Sequence, residues 1–451
     1  MKHILLITSF VCTLALTGFA QQAPASHSFS LADCIRYAYE HQDSVKNAAL
    51  DVQSADYKIK ETIGTGLPQV NGSITFQDYV KPPVSVGPNF LSGGPIDPKA
   101  RLVTFPFGPI KYNNTYSLQA TQLLFSGTFI VGLQAVKTFK ELSQRSLLRS
   151  KIETNANVTK AYYQVLVSGE QVKLLDANIA QLKQQFDQTI QRNKQGFVEK
   201  IDVDRLDVQY NNLVTNRENV VRSLTLYSQM LKFQMGMPVE EELVLTDKLA
   251  DIKIDEQVGQ NTVDTSFYRN RIEYKLLETN ITLNELDVKS RKAEFLPTLA
   301  FNAGIGGVFQ ENQAKYLYDN IYYNSYIGLS LNIPIFSGGQ RMARLRQTQI
   351  NVLKAKNDLN NAQNGFKLQA NVANITYLNS LQSLNNQKRS RALAQEVLRV
   401  AKIKYEQGVG SSVEVTQAQT ELENADNQYI QALYTVLISK VDADKAYARL
   451  N

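Results

Sequence analysis

The chain has 451 residues, of which 43% are hydrophobic and 20% charged, and its formal net charge is +6. Lysines and arginines are scattered along it, so the charge pattern predicts no nucleic-acid surface. Beyond the N-terminus, no apolar run is long enough for a membrane-spanning helix. The three histidines are too few for a histidine-based metal site or a Ser-His-Asp triad. We therefore expect neither an enzyme nor a protein that needs a cofactor or metal ion.

Residues 1–20 have the pattern of a secretory signal peptide. Lys2 and His3 precede a mostly apolar run, and the Gly-Phe-Ala sequence at 18–20 supplies the small residues of a cleavage site. The mature chain is expected to begin just after Ala20. Cys34 is then the one cysteine outside the signal, which excludes an internal disulfide and favours a small buried residue in the first helix.

The rest of the sequence contains one unit twice. Phe-Ser-Gly at 125–127 recurs at 336–338, and Gln-Gly at 195–196 recurs at 407–408. A repeat of this length indicates two copies of one structural unit, each with the order helix, strand, hairpin, strand, helix, turn, helix. The predicted first repeat covers 21–237, an acid-rich linker covers 238–265, and the second repeat covers 266–451.

Four segments alternate between apolar and polar residues, as strands do when their two faces meet different surroundings. In the first, Val70, Ile74 and Phe76 share one face, while Asn71 and Ser73 share the other. Lengths of about ten to fourteen residues suit tilted strands that cross a bilayer. A soluble sheet with one solvated face is the alternative. The strands are predicted at about 67–80, 112–125, 296–310 and 323–336.

The number of strands constrains the membrane interpretation. Four strands cannot close a barrel, and lipid does not tolerate an open sheet edge. A membrane protein with this sequence must therefore share one barrel between several chains. Three chains would supply twelve strands, an even number within the known range.

Two proline-free stretches, 128–194 and 340–406, predict helices about 100 Å long. Helices of that length indicate a coiled coil or a helical tube. A glycine turn follows each helix, at 195–198 and 407–410, and the returning helix carries a heptad seam. In the second copy the seam is Val415, Ala418, Leu422, Ala425, Tyr429, Ala432, Val436, Ser439, Ala443, Ala446 and Leu450. In the first copy, Arg217 interrupts the equivalent apolar stripe.

The sequence thus has a signal peptide, a duplicated unit, Leu-Pro before each outgoing strand, Phe-Ser-Gly after each returning strand, and a glycine turn followed by an acid and a heptad seam. Together these features resemble the TolC-type outer-membrane efflux family. The resemblance implies a mainly α fold with membrane β-strands, in which a trimeric α-barrel is continuous with a 12-stranded β-barrel. It implies a homotrimer in outer-membrane lipid that extends into the periplasm, with the linker in an equatorial collar. The implied function is a passive export duct without catalytic chemistry, which receives substrates from an inner-membrane pump of RND or ABC type through a periplasmic adaptor.

In that family the glycine turns form the periplasmic tips, where the adaptor docks and the tube is held shut by a latch of an acid, a tyrosine and a base. The matching tip residues here are Gly196, Phe197, Val198, Gly408, Val409 and Gly410. Asp202 and Tyr405 match the acid and the tyrosine of the latch. Gly410 stands at the basic position, so the resemblance leaves a Tyr–Asp hydrogen bond rather than a charged latch.

The family also narrows its pore with two rings of acids. Glu414 matches the first ring, whereas Gln417 replaces the acid of the second. Three Glu414 carboxylates near the axis would favour cations. Without the resemblance, Glu414 is interpreted as an acid in the first turn of a helix, stabilised by the helix dipole.

Two other classes of protein are consistent with parts of the sequence. A secreted trimeric coiled-coil adhesin would explain the signal and the seams, but it would place strands at one end of the chain rather than twice inside it. A soluble periplasmic scaffold would explain the helices. It would give no reason for uncharged alternating strands.

Overall fold

The computed structural model describes residues 27–81, 85–87, 102–105, 110–249, 252 and 266–450. The predicted signal peptide and part of the predicted linker lie outside them. Within these residues the elements are β1 (His27–Phe29), α1 (Leu31–His41), α2 (Asp43–Thr65), β2 (Gln69–Asp78), β3 (Ser85–Gly87), β4 (Val103–Phe105), β5 (Tyr112–Phe125), α3 (Gly127–Lys194), α4 (Lys200–Met235), β6 (Leu243–Leu245), α5 (Ile272–Ala293), β7 (Thr298–Glu311), β8 (Ile321–Asn332), α6 (Gln340–Glu406) and α7 (Ser412–Ala446). None of the described helices is long and apolar enough to span a membrane.

The chain divides into two compact units, and each unit contains segments of both sequence copies. The first, which we call the helical unit, comprises Met1–Leu50, Arg145–Lys275 and Asn361–Asn451. The second, the sheet unit, comprises Asp51–Gln144 and Leu276–Asn360. The repeat is thus a repeat of sequence and of element order, while packing joins parts of the two copies.

The sheet unit is built on a four-stranded antiparallel sheet with the order β2-β5-β7-β8. Each copy contributes one hairpin, and pairing of β5 with β7 joins the copies. The register places Val70 opposite Ala120, Ala120 opposite Ala303, and Ala303 opposite Ile327. Residues that face each other across antiparallel strands share one side of the sheet. The alternation predicted for single strands therefore continues across all four.

The two faces of this sheet differ in chemistry. Side chains on the apolar face are exposed to solvent: Ile74 is 72% exposed, Ile327 is 81% exposed and Leu329 is 67% exposed. On the other face, polar side chains bond across strands, as Ser73 Oγ does with Ser117 Oγ at 2.8 Å. The outer edges of β2 and β8 have no partner strand among the described residues.

The fourth strand ends earlier than predicted. We expected it to reach 336, but it ends at Asn332. Pro334 has no N–H to continue the ladder, and Gly338 and Gly339 then adopt left-handed backbone with φ of +60° and +79°. The chain thereby turns into α6, and Arg341 Nη1 donates to the Pro334 carbonyl at 3.2 Å.

The two long helices α3 and α6 have 68 and 67 residues, so each is about 100 Å long, as predicted. The seam of α7 is confirmed, because Val415, Leu422 and Val436 are at most 5% exposed. Within the helical unit this seam packs on α6: residues such as Leu398 and Tyr377 of α6 share clusters with it.

Helix α7 has a second buried stripe that the sequence reasoning missed. Its members are Gln419, Asp426, Ile430, Leu433, Leu437 and Val441. In the second half of α7, Ile430 and Leu437 pack with Val167 of α3. Helix α7 is therefore covered on two sides, by α6 and by α3.

The N-terminal helix α1 is fixed by a core that contains the lone cysteine. Cys34 is fully buried with Ala38, Tyr162 and Met235, as predicted. Burial raises the pKa of its thiol to about 12, so the thiol stays protonated and unreactive at neutral pH. Asp247 accepts hydrogen bonds from Tyr162 Oη at 2.8 Å and from the Leu31 N–H at 3.0 Å, which ties the start of α1 to the segment after β6.

Gly236 ends α4 at a close approach to the backbone at the end of α1, and it provides a test of this packing. Its φ is +72°, and a Cβ there would lie 2.6 Å from the His41 carbonyl oxygen. We expect Gly236→Ala to lower the free energy of unfolding by about 2 kcal/mol or more, because left-handed strain adds to a backbone clash. Urea denaturation of the detergent-purified protein measures this effect.

Gly169→Ala is the matched control, since a Cβ on Gly169 in α3 would meet no atom within 4 Å. Replacing a mid-helix glycine with alanine is expected to be neutral or stabilising by about 0.5–1 kcal/mol. Equal stability of the two variants would contradict the close approach at Gly236.

Candidate functional site

The two glycine turns at the ends of α3 and α6 have the same backbone geometry. Gly196 and Gly408 adopt left-handed φ values of +78° and +74°. In the first turn the Phe197 N–H donates to the Arg192 carbonyl at 3.0 Å, and in the second the Val409 N–H donates to the Lys404 carbonyl at 3.0 Å. This glycine-ended pattern closes a helix by satisfying carbonyls of its last turn.

The turns present apolar side chains to solvent. Phe197 is 76% and Val409 is 80% exposed. Val198 is half-buried, and its carbonyl accepts a hydrogen bond from Asn193 Nδ2 at 2.8 Å. The backbone of each turn is thus held internally, while one large apolar side chain of each remains free for contact with another molecule.

Asp202 connects the starts of the two returning helices. It lies in the first turn of α4, and its Oδ1 accepts a hydrogen bond from the hydroxyl of Ser412, the first residue of α7. Arg205 Nη1 lies 3.4 Å from the same oxygen. With its side chain 17% exposed, Asp202 is largely shielded from solvent. It connects two helical hairpins, one made of α3 and α4 and the other of α6 and α7.

Tyr405, the second predicted latch residue, lies close to Asp202 without bonding to it. Among the described residues no hydrogen-bond partner meets its buried hydroxyl. The Arg192 guanidinium lies 5.8 Å from the centre of its ring. Burial raises the pKa of Tyr405, the charge of Asp202 raises it further, and Arg192 opposes both. Asp202 is therefore near enough to act electrostatically, but within this chain it bonds to Ser412.

Gly410 departs from the family pattern for a steric reason. A Cβ at this position would lie 2.9 Å from Cβ of Lys404, closer than real Cβ contacts come, and 3.1 Å from the Tyr405 nitrogen, which is also tight. The Gly410 N–H also donates to the Lys404 carbonyl at 3.1 Å. This tightly folded turn has no room for the basic residue that the resemblance would place there.

Glu414 and Gln417 lie on the exposed side of the first turns of α7. Ser411 Oγ caps the helix by accepting from the Glu414 N–H at 3.2 Å. Gln417 Nε2 donates to Glu421 Oε1 at 3.4 Å. The groove between α6 and α7 that contains Glu414 is also lined by the acids Glu396 and Glu421 and by one base, Lys404, so acids outnumber bases there.

Sequence and fold comparisons identify the group of proteins to which this chain is similar. Residues 34–225 and 278–446 match the family described as "Outer membrane efflux protein". This match covers well over half of the sequence. The chain belongs to the outer membrane efflux protein family. It is an export duct for efflux or secretion, and its family is one of channels rather than enzymes.

Individual relatives agree with this assignment. Outer membrane protein TolC of Salmonella enteritidis is 24% identical over 449 residues, which cover 97% of this chain and 85% of the relative. Among solved structures, CusC has a TM-score of 0.73 at 16% identity and covers 93% of this chain and 92% of its own. The open-state MtrE channel of Neisseria gonorrhoeae has a TM-score of 0.71 at 16% identity, covering 92% of this chain and 88% of its own.

The duct also contains a buried polar layer that the sequence reasoning did not identify. Asp426 of α7 is 6% exposed. It accepts from Arg391 Nε of α6 at 2.6 Å and from Asn178 Nδ2 of α3 at 3.0 Å. One carboxylate therefore joins three helices, and its charge is compensated as a buried charge must be.

Two polar residues that precede Asp426 on α7 have incomplete bonding: Gln419, about two turns earlier on the same stripe, and Glu423, less than one turn earlier. Gln419 is 1% exposed, and within the described chain neither of its amide atoms has a hydrogen-bond partner; the same holds for Oε1 of Glu423. Burial raises the pKa of Glu423, the Gln419 amide lowers it, and the negative charge of Asp426 raises it further. This part of the interface stabilises the protonated form of Glu423.

Glu423→Gln tests this arrangement through the pH dependence of stability. Because the folded-state pKa lies above the ordinary value of 4.5, folding loses stability as pH rises from about 4.5 through the raised pKa. The neutral amide removes that loss. We expect the variant to melt at a higher temperature than the wild type at pH 7.5 and at nearly the same temperature at pH 4.

Glu421→Gln, an exposed neighbour on the same helix, is the control and should not change the pH dependence. Differential scanning fluorimetry in detergent across pH 4 to 8 gives the comparison. A change in melting temperature that is equal at every pH would contradict the raised pKa of Glu423, because only a pKa that differs between folded and unfolded states makes the effect depend on pH.

Proposed function

We propose that three copies of this chain assemble in the outer membrane into one duct. The four-stranded sheets share a twelve-stranded barrel, and the helices form a tube that extends into the periplasm after removal of the signal peptide near Ala20. Substrates pass from an inner-membrane pump of RND or ABC type, through a periplasmic adaptor, into this tube. The duct itself performs no chemistry.

The main support for this proposal is that the four-stranded sheet leaves one apolar face and two edges without partners in the described chain. A continuous apolar face that includes Ile74, Ile327 and Leu329 is exposed, and β2 and β8 leave their outer edges unpaired within the described chain. An exposed apolar face is unfavourable in water, and an open edge is not tolerated in lipid. Lipid on the face and neighbouring copies on the edges satisfy both requirements together.

The contacts within the helical unit support a specific opening movement. Near the glycine turns, the contacts inside each helical hairpin are apolar. Leu182 of α3 clusters with Leu206 of α4, and Leu398 of α6 clusters with Val415 of α7. Between the hairpins the contacts are polar. Asp202 bonds to Ser412, and Gln209 Nε2 donates to the Thr416 carbonyl and to Thr420 Oγ1, each at 3.3 Å.

A polar interface separates at lower cost than an apolar one, because water replaces each hydrogen bond that is broken. We therefore infer that each hairpin moves as a unit and that the interface between the hairpins opens at the tips. The exposed Phe197 and Val409, with Gly196, Val198, Gly408 and Gly410 around them, form the surface on which the adaptor docks. Asp202 and Tyr405 act as the latch, and Glu414 with Gln417 lines the narrow part of the tube.

Purification tests the assembly. We expect the protein to sediment with outer membranes, to require detergent for extraction, and to have the mass of three chains in native mass spectrometry. Release by salt or alkaline wash as a single chain would contradict the assembled duct. It would favour the soluble scaffold considered from the sequence.

Single-channel recording in planar bilayers tests the latch. Asp202→Ala and Ser412→Ala each remove one partner of the contact between hairpins, and we expect closed-state conductance to increase severalfold. Tyr405→Phe should produce a smaller increase, because the Tyr405 hydroxyl lies near Asp202 without bonding to it. The control is Asp207→Ala, an exposed acid one turn further along α4.

Closed-state conductance that is unchanged by Asp202→Ala would exclude the latch. An equal increase from Asp207→Ala would also exclude it, because the effect would then be one of general charge. The purification result is independent of both outcomes.

A further inference from the structure

A cavity of about 210 Å³ lies between the last turns of α3 and α6. A single water needs only about 10–15 Å³ of such space, so the cavity can hold a small molecule. The lining residues important here are Gln185, Gln188, Arg192, Lys402, Tyr405 and Glu406. All of them belong to the helical unit.

Two cations line this cavity without a carboxylate partner. No acid within the described residues lies at ion-pair distance from Arg192 or Lys402, whereas nearby Lys183 pairs with Asp187 at 2.9 Å. Lys402 is half-buried. Burial lowers the pKa of Lys402, and Glu406 only partly offsets that effect. Glu406 lines the cavity but lies beyond ion-pair distance, so it compensates Lys402 only in part, and a bound anion would supply the remaining charge.

Two further polar atoms in the same cavity are also without partners. Within the described chain, neither the Tyr405 hydroxyl nor Gln185 Oε1 has a hydrogen bond, and both atoms are buried. Buried polar groups are nearly always bonded, so such groups in a cavity need an explanation. The hydroxyl can donate and the amide oxygen can accept.

The set of groups defines the chemistry of its ligand. Lys402, Arg192 and Tyr405 supply donors, two of them charged, for the oxygen atoms of an anion. Gln185 supplies an acceptor, which a fully ionised oxyanion cannot use. A partly protonated oxyanion satisfies all four groups, because it also carries a hydroxyl that donates.

We propose that this cavity binds one hydrogen phosphate ion, or an oxyanion of the same class, between α3 and α6. Oxygens of the ion accept from Lys402, Arg192 and Tyr405, and its hydroxyl donates to Gln185. The functional consequence rests on the proposed duct, because Tyr405 is a latch residue there. Occupancy holds the ends of the two long helices together and favours the closed tip.

Binding is tested directly with the full-length protein in detergent. Isothermal titration calorimetry with inorganic phosphate at pH 7.5, in chloride of matched ionic strength, is expected to show saturable binding of one ion per chain. Lys402→Met and Arg192→Gln should each weaken binding at least tenfold, and Tyr405→Phe should weaken it about threefold. Lys194→Met is the matched control, since Lys194 lies in the same last turn of α3 but outside the cavity lining, and it should bind as the wild type does.

Absence of saturable binding to the wild type would overturn the proposal. So would binding that Lys402→Met and Arg192→Gln leave unchanged, or binding that Lys194→Met weakens equally, since each would indicate a general surface effect. Circular dichroism confirms that each variant is folded, and two independent cation variants keep the test valid if one fails to fold.

The bilayer experiment separates this inference from the proposed function. We expect phosphate to lower the closed-state conductance of the wild type at least twofold and to have no effect on Lys402→Met. If phosphate binds but Asp202→Ala leaves conductance unchanged, the site stands while the latch fails. If Asp202→Ala raises conductance but phosphate does not bind, the latch stands while the site fails.

Discussion

An antiparallel sheet of four strands has two edges, and the sheet of this protein leaves both edges and one apolar face without partners in the described chain. Backbone N–H and C=O groups require hydrogen bonds, and the exposed apolar side chains require removal from water. In water the edges can bond to solvent but the apolar face stays exposed, whereas in lipid the face is satisfied but the open edges are not tolerated. The rest of the molecule is consistent with an assembly that meets both, because its helices are long and mostly polar outside their seams, as the wall of a water-filled tube would be.

Helix α7 shows how such long helices are held in place. Its first buried stripe is mostly apolar and faces α6. Its second stripe contains Gln419 and Asp426, and it contacts α3 from Asp426 onward. Apolar packing is non-directional and tolerant of sliding, whereas a carboxylate bonded to both Arg391 and Asn178 accepts few relative positions. The polar layer therefore sets the register between helices that apolar seams alone would leave weakly defined.

The sequence predicted the features that depend on periodicity. The first seam of α7 follows from spacings of three and four, the alternating strands follow from spacings of two, and the two long helices follow from stretches without proline; the structure contains all of them. The second stripe of α7 was not found because Gln419 and Asp426 are polar, so a search for apolar periodicity finds only its second half, from Ile430 onward. The bond of Ser412 to Asp202 joins residues 210 positions apart, and no local pattern encodes such a pairing. At Gly410, the sequence revealed the departure from the family, but only the close approach of Lys404 gives its cause.

Approximate interaction energies indicate which helix interface separates when the duct opens. Each polar contact between the hairpins contributes about 0.5–1.5 kcal/mol net, and a few such contacts at the tips add up to a few kcal/mol. Full burial of a Val or Leu side chain is worth about 1.5–3 kcal/mol, and the cluster of Leu398, Val415 and Leu422 alone exceeds that sum. Coupling between binding sites is typically about 1–3 kcal/mol, which is comparable to the polar interface and smaller than the apolar one. We therefore propose that an adaptor bound at the tips separates the hairpins from each other there and leaves α6 packed on α7.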